Sequence, residues 1–118
     1  MIQTVLGPID SSTLGITMAH EHLSVDLGSV RGDEDSTFTD SLLVRSEVER
    51  LNDAGVDSVV EVSCIDMGRN VSALAQISRA SGINVICSTG FYLERYHPAW
   101  LFEAPIEKVE GVFRKEFA

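Results

Sequence analysis

Apolar and polar positions along the chain alternate between strand-like and helix-like segments. Residues 16–23, 56–63 and 83–89 form short runs that predict three main strands, and the second run is nearly continuous valine. Such a run is typical of a parallel strand that is covered on both faces. Ahead of the first run, residues 4–9 contain a Gly-Pro pair, which predicts a short hairpin.

Three other segments carry apolar residues at helical spacing and predict helices with one buried face. The first helix is predicted over residues 40–54, the second over residues 70–81, and the third from Pro105, whose fixed φ suits a first helical turn. The positions predicted to face inward are Val44, Val48 and Leu51 in the first helix, Leu74, Ile77 and Ser78 in the second, and Ile106, Val109 and Phe113 in the third.

This order of elements predicts parallel strands that are joined by right-handed helical crossovers. A doubly wound sheet would show a glycine-rich turn directly after the first strand, whereas here that strand ends in histidines and a long polar loop over residues 24–39. We therefore expect an α/β fold, the N-terminal three βα units of a (β/α)8 TIM barrel preceded by a short β-hairpin. Since a complete barrel takes about 250 residues, residues 1–118 are expected to form a single partial domain.

The charge and residue composition of the chain bear on which classes of partner it can bind and on where it is located. The chain has 18 acidic and 9 basic residues and a formal net charge of −9, so it lacks the basic stripe that binding to nucleic acid or to an anionic membrane surface needs. It shows neither a transmembrane-length apolar run nor a signal-peptide pattern, which predicts a cytoplasmic protein. Cys64 and Cys87 lack metal-type spacing and are predicted to be small buried residues on strands, without a functional role.

The tripeptide His20-Glu21-His22 carries the strongest local chemical signal. Alternate side chains of a strand point the same way, so both imidazoles share a face and can reach one ion at Zn–N distances of about 2.0–2.1 Å. The alternative is a pair of polar side chains that merely end a strand. Active sites of barrels lie at the carboxyl ends of the strands, and this placement favours the metal site.

The string around these histidines, Gly-Ile-Thr-Met-Ala-His-Glu-His-Leu over residues 15–23, resembles the G-[FY]-T-L-x-H-E-H signature of the phosphotriesterase family in the amidohydrolase superfamily. Ile16 replaces the aromatic residue of that signature, and Met18 replaces its leucine. Further matching segments extend the resemblance over nearly the whole chain, at residues 7–9, 54–62, 67–70 and 82–92.

The resemblance implies a hydrolase with a binuclear divalent metal centre, usually Zn²⁺, at the top of a TIM barrel, where the metals supply hydroxide near pH 7. By the match, His20 and His22 bind the more buried metal. The family's other ligands are a lysine or glutamate on strand four, histidines on strands five and six, and an aspartate on strand eight, and none can be placed here. We expect a small-molecule lactone or other carboxylic ester as substrate, with phosphotriesters as a side activity. The isolated chain is expected to be inactive, because two histidines cannot hold two metals.

Polar residues outside the tripeptide have both functional and purely structural interpretations. Tyr92 stands where lactonase relatives carry a tyrosine near the metals, so its phenol is a candidate hydrogen-bond donor in catalysis, although a ring that only caps the barrel mouth fits equally well. Arg69 is predicted to hydrogen-bond a loop rather than to face a substrate anion. His97 is predicted to be an exposed loop residue, and the acidic stretch 33–35 a solvated loop.

Two other hypotheses remain open at this point. One is a nucleobase deaminase or cyclic amidase of the same superfamily, since these enzymes also place H-x-H on strand one, although the Gly-Ile-Thr and Gly-Arg-Asn segments argue against it. The other is a stand-alone, non-catalytic α/β module that self-associates through open sheet edges. The oligomeric state is open as well, and a homodimer would suit the family that the chain resembles.

Overall fold

The computed structural model describes residues 1–39 and 41–116, so Asp40, at the predicted start of the first helix, lies outside the described residues. Strands β1 to β7 span Ile2–Thr4, Gly7–Ile9, Thr17–Glu21, Val25–Asp26, Thr37–Phe38, Ser58–Glu61 and Asn84–Cys87. Helices α1 to α5 span Gly28–Arg31, Ser41–Asp53, Val71–Ser81, Ala99–Glu103 and Ile106–Glu116. None of the helices in this part of the chain is long and apolar enough to cross a membrane.

The central element is a parallel sheet with the strand order β3-β6-β7. Ser58 of β6 pairs with Thr17 of β3 on one side and with Asn84 of β7 on the other. Helix α2 lies between β3 and β6 in the chain, α3 lies between β6 and β7, and the two helices pack against each other. The predicted α/β order with parallel strands is confirmed.

The core lies between this sheet and helices α2 and α3. The inward positions predicted for these helices are confirmed, since Val48 is 1%, Leu74 0% and Ile77 2% exposed. Helix α3 begins with Asn70, whose side chain accepts a hydrogen bond from the Ala73 N–H, and ends at Gly82, whose φ of 77° is the left-handed stop that glycine adopts without strain.

Helix α5 departs from its predicted packing. Ile106, expected to be buried, is 73% exposed, and α5 contains no fully buried residue. Its ring Phe113 contacts Phe91, with 5.8 Å between the ring centroids. The apolar spacing of this segment therefore correctly indicates a helix but overstates how much of its face is covered.

Residues 24–39, predicted as a long loop, are folded instead. Strand β4 pairs antiparallel with β5, and Val25 lies opposite Phe38. Val25 and Leu27 are buried in a small second cluster with Met67 and Tyr96. These partners come from distant parts of the chain, so the local pattern did not indicate that this segment has a core of its own. The predicted hairpin is present as β1 and β2, but its turn lies at residues 5–6, and the Gly-Pro pair that predicted it lies on β2.

The two cysteines are free thiols and are half-buried. Cys87 ends β7, as predicted, whereas Cys64 lies beyond the end of β6 rather than on the strand. Burial raises the pKa of both thiols, that of Cys87 to about 11. Both groups are therefore neutral near pH 7 and are poor nucleophiles or metal ligands.

Candidate functional site

A cavity of about 440 Å³ opens at the carboxyl ends of the parallel strands. Its lining includes His20, His22 and Tyr92, which are the three site residues predicted from the sequence. The β4–β5 segment supplies an apolar wall that contains Leu27 and Phe38. The fold therefore brings together residues from the end of β3, from the β4–β5 segment that follows it and from the loop after β7.

The two histidines stand next to a β-bulge. Met18 pairs with Val59 and Glu21 pairs with Glu61, so one extra residue is inserted between these pairs. His20 lies on β3 and His22 directly follows it, and their ring centroids are 5.6 Å apart at an interplanar angle of 76°. Both side chains line the same cavity, as the i, i+2 spacing predicted.

The ring of His22 has a buried polar partner. Its Nδ1 lies 2.9 Å from the Ser63 hydroxyl, which in turn lies 2.5 Å from Oε1 of Glu61. Glu61 and Ser63 are both 0% exposed, and burial raises the pKa of the Glu61 carboxyl. No role for Glu61 was predicted from the sequence. The feature of the sequence that could have identified Glu61 is its position as an acidic residue within the otherwise apolar run of β6. A carboxylate is almost never fully buried without a partner.

Tyr92 is held at the cavity through its backbone. Its N–H donates to Oδ1 of Asp66 over 2.7 Å, and its ring packs on Tyr96 with 5.3 Å between the centroids. Its side chain remains partly open to solvent, with 42% of the residue exposed. The main chain of Tyr92 is therefore anchored, while its side chain is partly exposed at the cavity and packs on Tyr96.

His97 corrects the prediction of an exposed loop residue. Only 22% of its side chain is exposed, and its Nε2 lies 3.8 Å from a carboxylate oxygen of the buried Asp66. The same nitrogen donates to the Tyr92 carbonyl over 3.3 Å, and the ring contacts Phe91. The histidine braces the loop that carries Tyr92, which the local sequence did not reveal because Asp66 is distant in the chain.

Arg69 lies outside the cavity lining, and its predicted loop-binding role is confirmed. Its guanidinium donates to the Ser88 carbonyl and pairs with the carboxylate of Glu116, and only 7% of its side chain is exposed. It thus ties the start of α3 to the segment after β7 and to the end of α5.

The donor set of the cavity fits part of a metal site. Neutral imidazole is a preferred ligand of Zn²⁺, and two rings bound to one ion have centres roughly 5 Å apart, near the separation of His20 and His22. Among residues 1–39 and 41–116, no group of three or more histidine, cysteine or carboxylate side chains could hold an ion. The described residues therefore offer two of the four ligands that a zinc ion takes.

A sequence model of the phosphotriesterase family matches residues 1–112, which include both histidines and the loop of Tyr92. The chain belongs to the phosphotriesterase family. The resemblance seen around the H-E-H tripeptide is thereby confirmed at the level of the family.

Similarities to three known proteins agree with this family membership. It is 34% identical to a phosphotriesterase homology protein of Escherichia coli, over 71% of this chain and 29% of that protein. It is 29% identical to an aryldialkylphosphatase of Saccharolobus solfataricus, over 89% of this chain and 34% of that protein. The crystal structure of a lactonase from Listeria monocytogenes superposes with a TM-score of 0.76 at 30% identity, over 80% of this chain and 30% of that chain. The chain thus spans about a third of the length of these relatives.

Proposed function

We propose that this chain forms the first metal-binding strand and one wall of the substrate cavity in a metal-dependent hydrolase. The substrates would be lactones or other carboxylic esters, with phosphotriesters as a side activity. The observation that supports this proposal most strongly is that His20, His22 and Tyr92 line one cavity at the carboxyl ends of parallel strands. Relatives named as an aryldialkylphosphatase and a lactonase support a hydrolytic activity on such substrates.

Each part of the cavity has a role in this proposal. His20 and His22 would hold a divalent metal ion, Zn²⁺ in this proposal, which when bound would supply a hydroxide near neutral pH and polarise the oxygen under attack. The phenol of Tyr92 would donate a hydrogen bond to the substrate oxygen and orient the ester. Leu27 and Phe38 would pack against the apolar part of the substrate.

The charges at the cavity favour an uncharged substrate. Asp35 lines the cavity and is exposed, so its carboxylate opposes the approach of anions. The single arginine in the lining, Arg31, is paired with Asp33 over 3.3 Å. A neutral ester or lactone therefore suits this surface better than a carboxylate or a phosphate monoester.

Zinc binding by the 118-residue chain tests the proposed ligands. We expect His20→Ala and His22→Ala each to weaken binding at least tenfold, about 1.4 kcal/mol, because each removes one of two imidazoles. Isothermal titration with ZnCl₂ measures this change. His97→Ala is the matched control, since His97 is the third histidine of the chain and binds Asp66 and the Tyr92 carbonyl instead. Equal losses in all three variants would refute the assignment.

Hydrolysis by the isolated chain is expected to be negligible. Two histidines complete neither a binuclear centre nor a single four-coordinate zinc site, so the reaction of a p-nitrophenyl ester or a dialkyl aryl phosphate should proceed at the buffer rate with or without Zn²⁺. Absorbance of the released nitrophenolate measures that rate. A rate that rises with Zn²⁺ and disappears in His20→Ala would contradict this expectation.

A further inference from the structure

The buried side chains of Ser63 and Glu61 lie behind His22, and their hydrogen bonds bear on which ring nitrogen is protonated as well as on the position of the ring. The Oγ of Ser63 lies between two polar atoms, 2.9 Å from Nδ1 of His22 and 2.5 Å from Oε1 of Glu61. Ser63 and Glu61 are both 0% exposed, so the Ser63 hydroxyl and Oε1 of Glu61 depend on buried partners, whereas Oε2 of Glu61 has no hydrogen-bond partner among the described residues. A hydroxyl has a single hydrogen, and the direction in which it points decides which nitrogen of His22 carries a proton.

Oε1 of Glu61 is the acceptor in each of its contacts. The backbone N–H groups of Leu23 and Ser63 both point to it over 3.3 Å, and an N–H can only donate. A carboxyl proton, when present, would therefore sit on Oε2. Whether Glu61 is ionised or neutral, Oε1 accepts the hydrogen of the Ser63 hydroxyl.

The proton on His22 follows from this arrangement. Because the Ser63 hydroxyl donates its one hydrogen to Glu61, its oxygen can only accept a hydrogen bond from the histidine. Nδ1 of His22 therefore carries a proton. We propose that Ser63 and Glu61 are positioning residues that lock His22 in the Nδ1–H tautomer and leave its Nε2 lone pair free to bind the metal. The use of that lone pair rests on the proposed function, whereas the tautomer does not.

Glu61 also holds the main chain beside the ring. Its Oε1 accepts from the N–H of Leu23, the residue that follows His22. The neighbouring Val62 N–H donates to the Glu21 carbonyl over 2.9 Å, just before His22. His22 is thus fixed through its ring and through the backbone on both sides. Such support behind a ligand is typically worth 10- to 100-fold in metal affinity.

The tautomer can be measured without metal. Long-range ¹H–¹⁵N correlation spectra of the ¹⁵N-labelled, EDTA-treated chain at pH 8 distinguish a protonated from an unprotonated ring nitrogen, and His22→Ala identifies the His22 signals. We expect Nδ1–H in the wild type and the Nε2–H form, which unconstrained histidine favours, in Ser63→Ala. Ser63→Thr retains the hydroxyl and should restore Nδ1–H. Zinc affinity should fall 10- to 100-fold in Ser63→Ala.

Ser58→Ala is the matched control. Ser58 is also 0% exposed and lies on β6, but its hydroxyl donates to the Leu14 carbonyl rather than to a histidine. It should leave the His22 tautomer and the zinc affinity unchanged, although it removes two hydrogen bonds, one to the Leu14 carbonyl and one from the Asn84 side-chain amide. A shift of the tautomer as large in Ser58→Ala as in Ser63→Ala would mean that packing alone sets the ring, and would overturn the proposal.

The remaining outcomes separate this proposal from the function on which it builds. An Nε2–H tautomer in the wild-type spectrum would overturn the proposal even if Ser63→Ala fails to fold. An Nδ1–H tautomer that Ser63→Ala leaves unchanged would also overturn it. If the tautomer responds as expected but His22→Ala binds zinc as tightly as the wild type, the role of Ser63 and Glu61 in setting the tautomer is supported. The proposed metal site is then refuted.

Discussion

Replacing Gly15 with alanine is expected to destabilise the chain by about 3 kcal/mol or more. Gly15 has a φ of 61°, and a Cβ built on it would lie 2.2 Å from Oδ2 and 2.6 Å from Cβ of Asp57. Because the Cβ of Asp57 is fixed to its own backbone, rotating the carboxylate away cannot relieve the contact. Movement of Asp57 would also break the hydrogen bond that its carboxylate accepts from the Ile16 N–H, at the entry to β3.

Two other glycines separate the causes of this effect. Gly32 has a φ of 75°, in the same left-handed region as Gly15, but has no atom within 4 Å of its built Cβ, so Gly32→Ala should show the backbone cost alone, about 1–2 kcal/mol. Gly111 lies in α5 with nothing near its built Cβ, and Gly111→Ala should stabilise the chain by about 0.5–1 kcal/mol. Urea unfolding followed by circular dichroism measures all three changes. A cost for Gly15→Ala no larger than that for Gly32→Ala would show that the contact with Asp57 is unimportant.

Leu74→Ala is expected to cost about 2–5 kcal/mol of unfolding free energy. Leu74 lies on α3, is 0% exposed, and belongs to the core cluster that joins α2 and α3 to the sheet. Truncating it removes buried methyl groups and leaves a cavity where the two helices meet the strands. The urea midpoint should fall while the dependence on urea concentration stays nearly constant.

Val71→Ala on the same helix is the control for Leu74→Ala. Val71 is 44% exposed, so the loss of its two methyl groups should change the stability by about 0.5 kcal/mol or less. Similar losses for the two variants would mean that α3 does not pack on the sheet through Leu74. They would contradict the core described above.

Local patterns determined much of this fold. Apolar spacing correctly predicted α2, α3 and α5 and which faces of α2 and α3 are buried, because helix period follows from the spacing of neighbouring residues, whereas the short helices α1 and α4 were not predicted. Alternating strands and helices predicted a parallel sheet, because such connections admit few topologies. The i, i+2 spacing of His20 and His22 correctly predicted that both side chains line the same cavity, although His22 lies one residue beyond β3.

Contacts between distant segments decided the rest. Residues 24–39 are polar on average, yet Val25 and Leu27 are buried because Met67 and Tyr96 meet them. His97 is half-buried by contacts with Asp66, the Tyr92 carbonyl and Phe91. Ile106 is 73% exposed, although its helical spacing predicted burial.

The candidate site shows the same division between local and tertiary information. The sequence by itself identified His20, His22 and Tyr92 as candidates, because each belongs to a local motif. Only the tertiary structure placed Ser63 and Glu61 behind His22, across two strands that are distant in the chain. A hydrogen-bond chain depends on distances between separate strands, and these are set by how the whole sheet packs rather than by any short stretch of sequence.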